Sequence, residues 1–176
     1  MSNYPLFIKP VNEGSSKGID GFNKVHKPAE LKQAVQSLKS TLPGQDILVE
    51  SFLSGREFTV SILGTGTSSR VIGIREFIWQ QQKSPSDNDT SNSCDPTPPD
   101  LDYTSRKSKS SKEDDQLVCN DSLDMDDPHI GAACQVALDA WNVFGCRDAG
   151  RVDIRFDSDK PNSVPNVLEV STARYI

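Results

Sequence analysis

Lys9 closes a short apolar run, Leu6-Phe7-Ile8, and is followed by Pro10, then by Glu13-Gly14-Ser15-Ser16 and Gly18. Glycines in such a loop let backbone N–H groups converge on one concavity, which binds anions. A lysine beside it supplies a point charge for phosphate. Three further stretches carry oxygen chemistry. "VESFLSGREF" sets Glu50 on an apolar run and Glu57 just beyond a turn. In Arg151-Val152-Asp153, strand alternation puts Arg151 and Asp153 on one face and Val152 and Ile154 on the other. In Leu168-Glu169-Val170-Ser171, Glu169 and Ser171 share a face in the same way. The last two stretches are joined by a polar turn, so they form a hairpin in which Asp153 and Glu169 sit side by side. Facing carboxylates repel unless a cation lies between them. A hard cation with oxygen ligands and phosphate partners is magnesium.

Each feature alone has an ordinary reading. The loop could be plain surface, the two glutamates solvent-facing acids on a hairpin, and Arg151–Asp153 a salt bridge that contributes little. In one chain the four make a far more specific combination: a phosphate loop, a lysine, a strand-and-turn segment and a carboxylate pair.

The elements that must position these groups are legible. Leu6 to Lys9 reads as a strand and Asn12 to Gly21 as a loop. Pro28 to Thr41 is an amphipathic helix with Leu31, Ala34, Val35, Leu38 and Leu42 on its apolar face, started by proline and stopped at Pro43-Gly44. Asp46–Phe52, Glu57–Leu63 and Arg70–Trp79 read as three strands with tight turns, together an antiparallel sheet. Asp127 caps a second helix whose buried face is Ile130, Ala133, Cys134, Ala137, Leu138, Trp141 and Phe144, closed by Gly145. Gly150–Phe156 and Asn166–Val170 are the final strands.

With 176 residues the chain can bury a real core, although only 35% of it is hydrophobic. The shortfall is local: Lys83 to Gln116 holds Cys94, Leu101 and Tyr103 as its only hydrophobic residues. Such a segment cannot offset its ordering entropy and reads as a disordered insertion. Its "SRKSKSSK" run is followed at once by Glu113 to Asp115, which favours a solvated loop over a nucleic-acid patch. A net charge of −6 disfavours nucleic acid and anionic membranes as partners. No run approaches a membrane span or a signal peptide, and the four cysteines lack metal or disulfide spacing, so the cytoplasm is the expected compartment. His26 and His129 read as surface residues rather than ligands, since none accompanies them at ligand spacing.

"FIKPVNEGSSKGI", "ILVESFLSGREFTVSILG", "WNVFGCRDAGRVDIRF" and "VLEVS" resemble, in order and wording, the D-alanine–D-alanine ligase family of the ATP-grasp superfamily. The likeness covers most of the chain outside the insertion. It implies an α+β ATP-grasp fold, two lobes of antiparallel sheet with packed helices and a cleft between them. The lobes are expected at 1–79, with the phosphate loop, and 117–176, with the metal strands and an incomplete C-terminus; 80–116 is the insertion. The resemblance also implies an ATP- and Mg2+-dependent ligase that phosphorylates a carboxylate and lets an amine attack the acyl phosphate, with small amino acids as substrates. A homodimer of the full-length form is compatible with it.

By the same resemblance Lys9 contacts the α- and β-phosphates, and Glu13, Ser15 and Ser16 form the loop that closes over nucleotide and substrate. Glu50 and the backbone up to Leu53 bind adenine, and Glu57 binds the ribose hydroxyls. Asp153 and Glu169 hold magnesium, and Arg151 stabilises negative charge at the reacting acyl carbon. The chain also departs from the family. Ser171 stands where an asparagine ligand is expected, and a serine hydroxyl is the shorter, weaker ligand. "TARYI" is not the Gly-rich substrate loop, and the N-terminal domain is absent, so the chain reads as truncated. After Tyr103 the residues Arg106, Lys107 and Lys109 all compete for the part of a phosphate-binding lysine. The competing functional readings are a nucleotide-binding remnant or regulatory domain without turnover, and an interaction protein that binds no nucleotide.

Overall fold

The computed structural model describes residues 4–13, 16–79 and 117–173. The expected disordered insertion, with Tyr103, Arg106, Lys107 and Lys109, lies outside the described residues, as does Ser15. The chain divides into two compact units, one formed by residues up to Phe52 and the other by Leu53–Ile78 and Val118 onward.

The first unit holds β1 (Leu6–Pro10), β2 (Lys24–Val25), α1 (Pro28–Thr41) and β3 (Ile47–Ser51). They make a three-stranded antiparallel sheet in the order β2-β1-β3. Alternation along β1 sends Leu6 and Ile8 to the side where Val25 and α1's Ala34 and Leu38 complete a small core. Proline at the first helical position and the Glu30 carboxylate, which accepts the His26 N–H at 2.7 Å, start α1 where the sequence says it should. Leu31 and Val35 pack against the same cluster.

The second unit holds β4 (Glu57–Leu63), β5 (Arg70–Trp79), β6 (Leu117–Asn120), α2 (Pro128–Val143), β7 (Ala149–Phe156) and β8 (Pro165–Thr172). Its sheet has five strands in the order β6-β5-β4-β7-β8. One face, with Phe58, Val60, Ile62, Val152, Ile154 and Phe156, packs on Ile130, Ala133, Ala137 and Trp141 of α2. Asp127 caps α2 as expected, accepting the His129 N–H at 2.9 Å. The helix lies close on the sheet at Gly150, where a Cβ would meet the Trp141 ring and the Ser171 carbonyl.

Several expectations need correction. β3, β4 and β5 do not form one sheet: β3 pairs with β1, whereas β4 pairs with β5 and β7. Residues 53–78 accordingly cluster with β7 and β8, not with β1 to β3 as the expected 1–79 lobe had it. Tight turns imply one antiparallel sheet, but strand pairing is decided by which apolar faces share a core. Helical spacing puts Phe144 on the buried face of α2, yet it is 68% exposed, because the helix ends at Val143 and Gly145 adopts a positive φ. β2 and β6 are short strands that the hydrophobic pattern did not announce.

Candidate functional site

In the first unit the sheet face opposite α1 carries Lys9 and Glu50. β1 and β3 pair with Lys9 across from Leu48 and Phe7 across from Glu50, so all four share that face. The Lys9 ammonium meets the Glu50 carboxylate at 2.7 Å, with both side chains partly open to solvent. Lys24 lies over the Phe52 ring, 4.1 Å from its centroid, and Phe7 packs on Phe52 at 6.1 Å. The two residues predicted for phosphate and adenine are therefore brought together, next to an aromatic shelf that the sequence reading did not single out.

The loop after β1 is tied down by a residue that reading missed. Asn23 is fully buried, and its Nδ2 donates to the Ile8 carbonyl at 2.6 Å and the Gly18 carbonyl at 2.9 Å. Its Oδ1 accepts the Asp20 N–H at 2.6 Å. One amide thus closes the far side of the loop onto β1. Gly18, at φ +79°, packs where a Cβ would meet Leu42 and Pro10. Ser16 takes a left-handed conformation, φ 57°, and Glu13 pairs with Lys17 at 2.9 Å. Nothing in the sequence pattern announces this staple, since a polar residue in a loop carries no period.

In the second unit one face of the sheet is apolar and the other carries nearly every candidate. Register places Arg75, Thr59, Asp153 and Glu169 in one row across β5, β4, β7 and β8. On one side of it lies the row of Ser61, Arg151 and Ser171; on the other, Phe77, Glu57 and Arg155. Asp153 and Glu169 are direct cross-strand partners, as the hairpin argument required. The Thr59 hydroxyl donates to Asp153, and the Ser171 hydroxyl donates to Glu169 at 2.9 Å. Arg151 comes within 3.4 Å of Asp153. A groove of about 810 Å3 is lined by Thr59, Ser61, Gly73, Arg75, Asp121 and Met125. Thr59 joins that groove to the carboxylate row. Leu53, expected near adenine, is half-buried at the start of this unit.

The donor set tests the magnesium expectation. Two carboxylates and two hydroxyls offer only hard oxygen, and among the described residues no three or more His, Cys, Asp or Glu are grouped so that they could hold a metal ion by themselves. A site that supplies two carboxylates and leaves the remaining positions to water and phosphate suits Mg2+ and does not suit zinc. The residues fit the ion.

Glu57 was assigned to ribose, and it is held by a group the sequence reading passed over. Its Oε2 accepts from Arg155 Nη1 at 3.0 Å, with both side chains nearly sealed from solvent. Arg155 stands two residues beyond Asp153, so strand alternation alone would have placed it on the same face. On the other face Arg56 bridges Glu76 and Asp127, and this pairing, with the His129 N–H, holds the Asp127 carboxyl below the usual range. His129 is not a free surface group: its ring faces Ser163 at 3.1 Å and packs edge-on against Phe156.

The profile of the family described as "D-ala D-ala ligase C-terminus" matches residues 1–173. The chain belongs to that family. Among curated relatives, the D-alanine–D-alanine ligase of Bordetella petrii is 29% identical over 96% of this chain and 43% of its own length. That of Marinomonas sp. is 32% identical over 97% of this chain and 44% of its own. The chain thus spans less than half the length of these ligases. Two solved structures share the fold. The D-alanine–D-alanine ligase of Bacillus anthracis complexed with ATP has a TM-score of 0.58 at 17% identity, over 97% of this chain and 43% of that one. The VanG D-Ala:D-Ser ligase of Enterococcus faecalis has a TM-score of 0.60 at 23% identity, over 97% and 40%. The α+β ATP-grasp fold expected from the motifs is therefore the fold of this chain.

Proposed function

We propose that this chain is the ATP-binding part of an ATP- and Mg2+-dependent carboxylate–amine ligase of the D-alanine–D-alanine ligase type, acting through an acyl phosphate. The observation that carries the reading is the row in which Asp153 faces Glu169 across β7 and β8, with Arg151 beside it. A sheet gains nothing from two opposed carboxylates unless a cation joins them. Bound there, Mg2+ would neutralise charge on the transferring phosphoryl group.

The chain's own residues then divide the work. Lys9 donates to phosphate oxygens, exchanging its contact with Glu50 for a more highly charged partner. Glu13, Ser15 and Ser16 form a loop over nucleotide and substrate, and Asn23 fixes its far side. Glu50 and Leu53 meet the adenine, and Glu57 accepts from the ribose. Arg151, exposed along one side, stabilises the oxyanion that forms when the amine attacks the activated carbonyl. Asp153, Glu169 and Ser171 are the residues that would hold the ion. Small amino acids are the substrates. The cytoplasm as compartment and a homodimer as assembly belong to the same reading. Among the described residues no helix is long and apolar enough to cross a membrane.

One observation favours a second reading, a nucleotide-binding domain without turnover. The Ser171 hydroxyl is spent on Glu169. It therefore offers the metal less than a side-chain carbonyl would. A coupled assay of ADP release with Mg-ATP, with and without D-alanine and other small amino acids, separates the two. Amino-acid-dependent ADP release supports the ligase. ATP binding with no release under any amino acid replaces it by the second reading.

A further inference from the structure

The Glu57–Arg155 pair poses a problem that folding alone does not solve. Both residues are nearly buried, 8% and 5% exposed, and they face each other directly across β4 and β7. Burying two charges costs desolvation that their attraction only partly repays, and a well-packed apolar pair in such a place is often as stable or more so. The pair is also on the polar face of the sheet, not on the face that packs α2. It lies one row from Asp153, a spacing of two strand residues or roughly 7 Å. That span is comparable to the separation between the inner phosphates of a nucleoside triphosphate and the hydroxyl edge of its sugar.

We propose that Arg155 is a positioning residue that fixes the Glu57 carboxylate for the ribose hydroxyls, and so makes the site selective for ribonucleotides over deoxyribonucleotides. The inference rests on the nucleotide reading above and adds to it the residue that sets sugar selectivity. A glutamate has three side-chain torsions, and a carboxylate that must receive hydroxyl hydrogens in a fixed direction has to be held. The guanidinium does this from across the strand, at 3.0 Å, with a planar donor group. When the sugar lacks a hydroxyl, the fixed carboxylate forgoes that hydrogen bond and keeps only its protein partners. Sites of that kind reject the missing-hydroxyl analogue far more strongly than apolar pockets discriminate by size.

The test is calorimetric binding of ATP, 2′-deoxy-ATP and 3′-deoxy-ATP, each with Mg2+, to the full chain and to its R155M, R155K and E57Q forms. The wild-type chain should prefer ATP over at least one deoxy analogue by roughly tenfold or more. R155M and E57Q should each bring that ratio to within about threefold while retaining the deoxy analogue, and R155K should restore part of it. A purely structural Arg155 would weaken all three nucleotides alike and leave the ratio unchanged. An unchanged ratio in folded R155M overturns the proposal, and should R155M lack a cooperative thermal transition, an unchanged ratio in R155K does the same. A wild-type chain that binds Mg-ATP without discrimination also overturns it, yet leaves the nucleotide reading standing. A chain that binds no ATP fails both.

Discussion

Lys9 and Arg56 show how differently two cations can work in one chain. Lys9 is a partly exposed ammonium whose partner, Glu50, is also partly open to solvent. Such a pair contributes little to stability. Lys9→Ala should therefore leave the melting temperature nearly unchanged, yet weaken Mg-ATP binding roughly 10- to 100-fold, the worth of a charged hydrogen bond of about 1.5–3 kcal/mol. Titration calorimetry beside a thermal melt checks both halves, and an unaltered affinity would remove Lys9 from the phosphate site. Arg56 is the reverse case, a guanidinium bound to Glu76 and Asp127 at the rim of the core. Because it depresses the Asp127 carboxyl, the contribution is fully present above the ordinary carboxylate range and is lost as pH falls through the lower folded value. Arg56→Ala should cost roughly 1–3 kcal/mol at pH 7. The gap from wild type should narrow below about pH 4. Urea midpoints from pH 7 down to pH 2 would show it; a gap constant with pH would contradict the assignment.

At the scale of elements, the loop between β1 and β2 depends on Asn23. Its amide satisfies two carbonyls and one N–H in a place closed to water. Asn23→Ala would strip partners from buried groups, a loss of roughly 1–3 kcal/mol. It should also loosen the loop, so nucleotide affinity should fall further than stability alone explains. Backbone hydrogen exchange at residues 16–23 is the measurement: faster exchange confined to that stretch is expected, and unchanged protection would show the loop held by other means. The example also marks what periodicity could and could not reveal. Alternation in "GRVDIRF" and "NVLEV" identified the faces of β7 and β8, and the polar turn between them implied their pairing, so Asp153 opposite Glu169 was legible. Asn23 was not, because a polar residue in a loop carries no period. Arg155 was legible in principle, since it continues the Arg151–Asp153 alternation, but its partner Glu57 lies 98 positions away and only the register of β4 on β7 joins them.

For the whole molecule, local pattern named the elements and left their assembly open. The helices, their caps and most strands followed from proline, glycine and apolar spacing. The assignment of β3 to one sheet and β4 to another did not, because both read as apolar runs separated by a short turn. Which sheet each joins depends on partners far along the chain: β3 on β1, and β4 on β7. The pairing of Asp153 with Glu169 does not depend on that assignment, since it follows from the hairpin of β7 and β8 alone. The proposed site includes that pair. The central claim about that site is that Asp153 and Glu169 bring Mg2+ to a bound nucleotide. Titration of ATP into the chain with Mg2+ and with chelator, in wild type and in Asp153→Asn with Glu169→Gln, tests it directly. Wild type should bind ATP roughly tenfold or more tightly when Mg2+ is present, and the double substitution should abolish that gain. Equal ATP affinity with and without Mg2+ in both proteins would contradict the account.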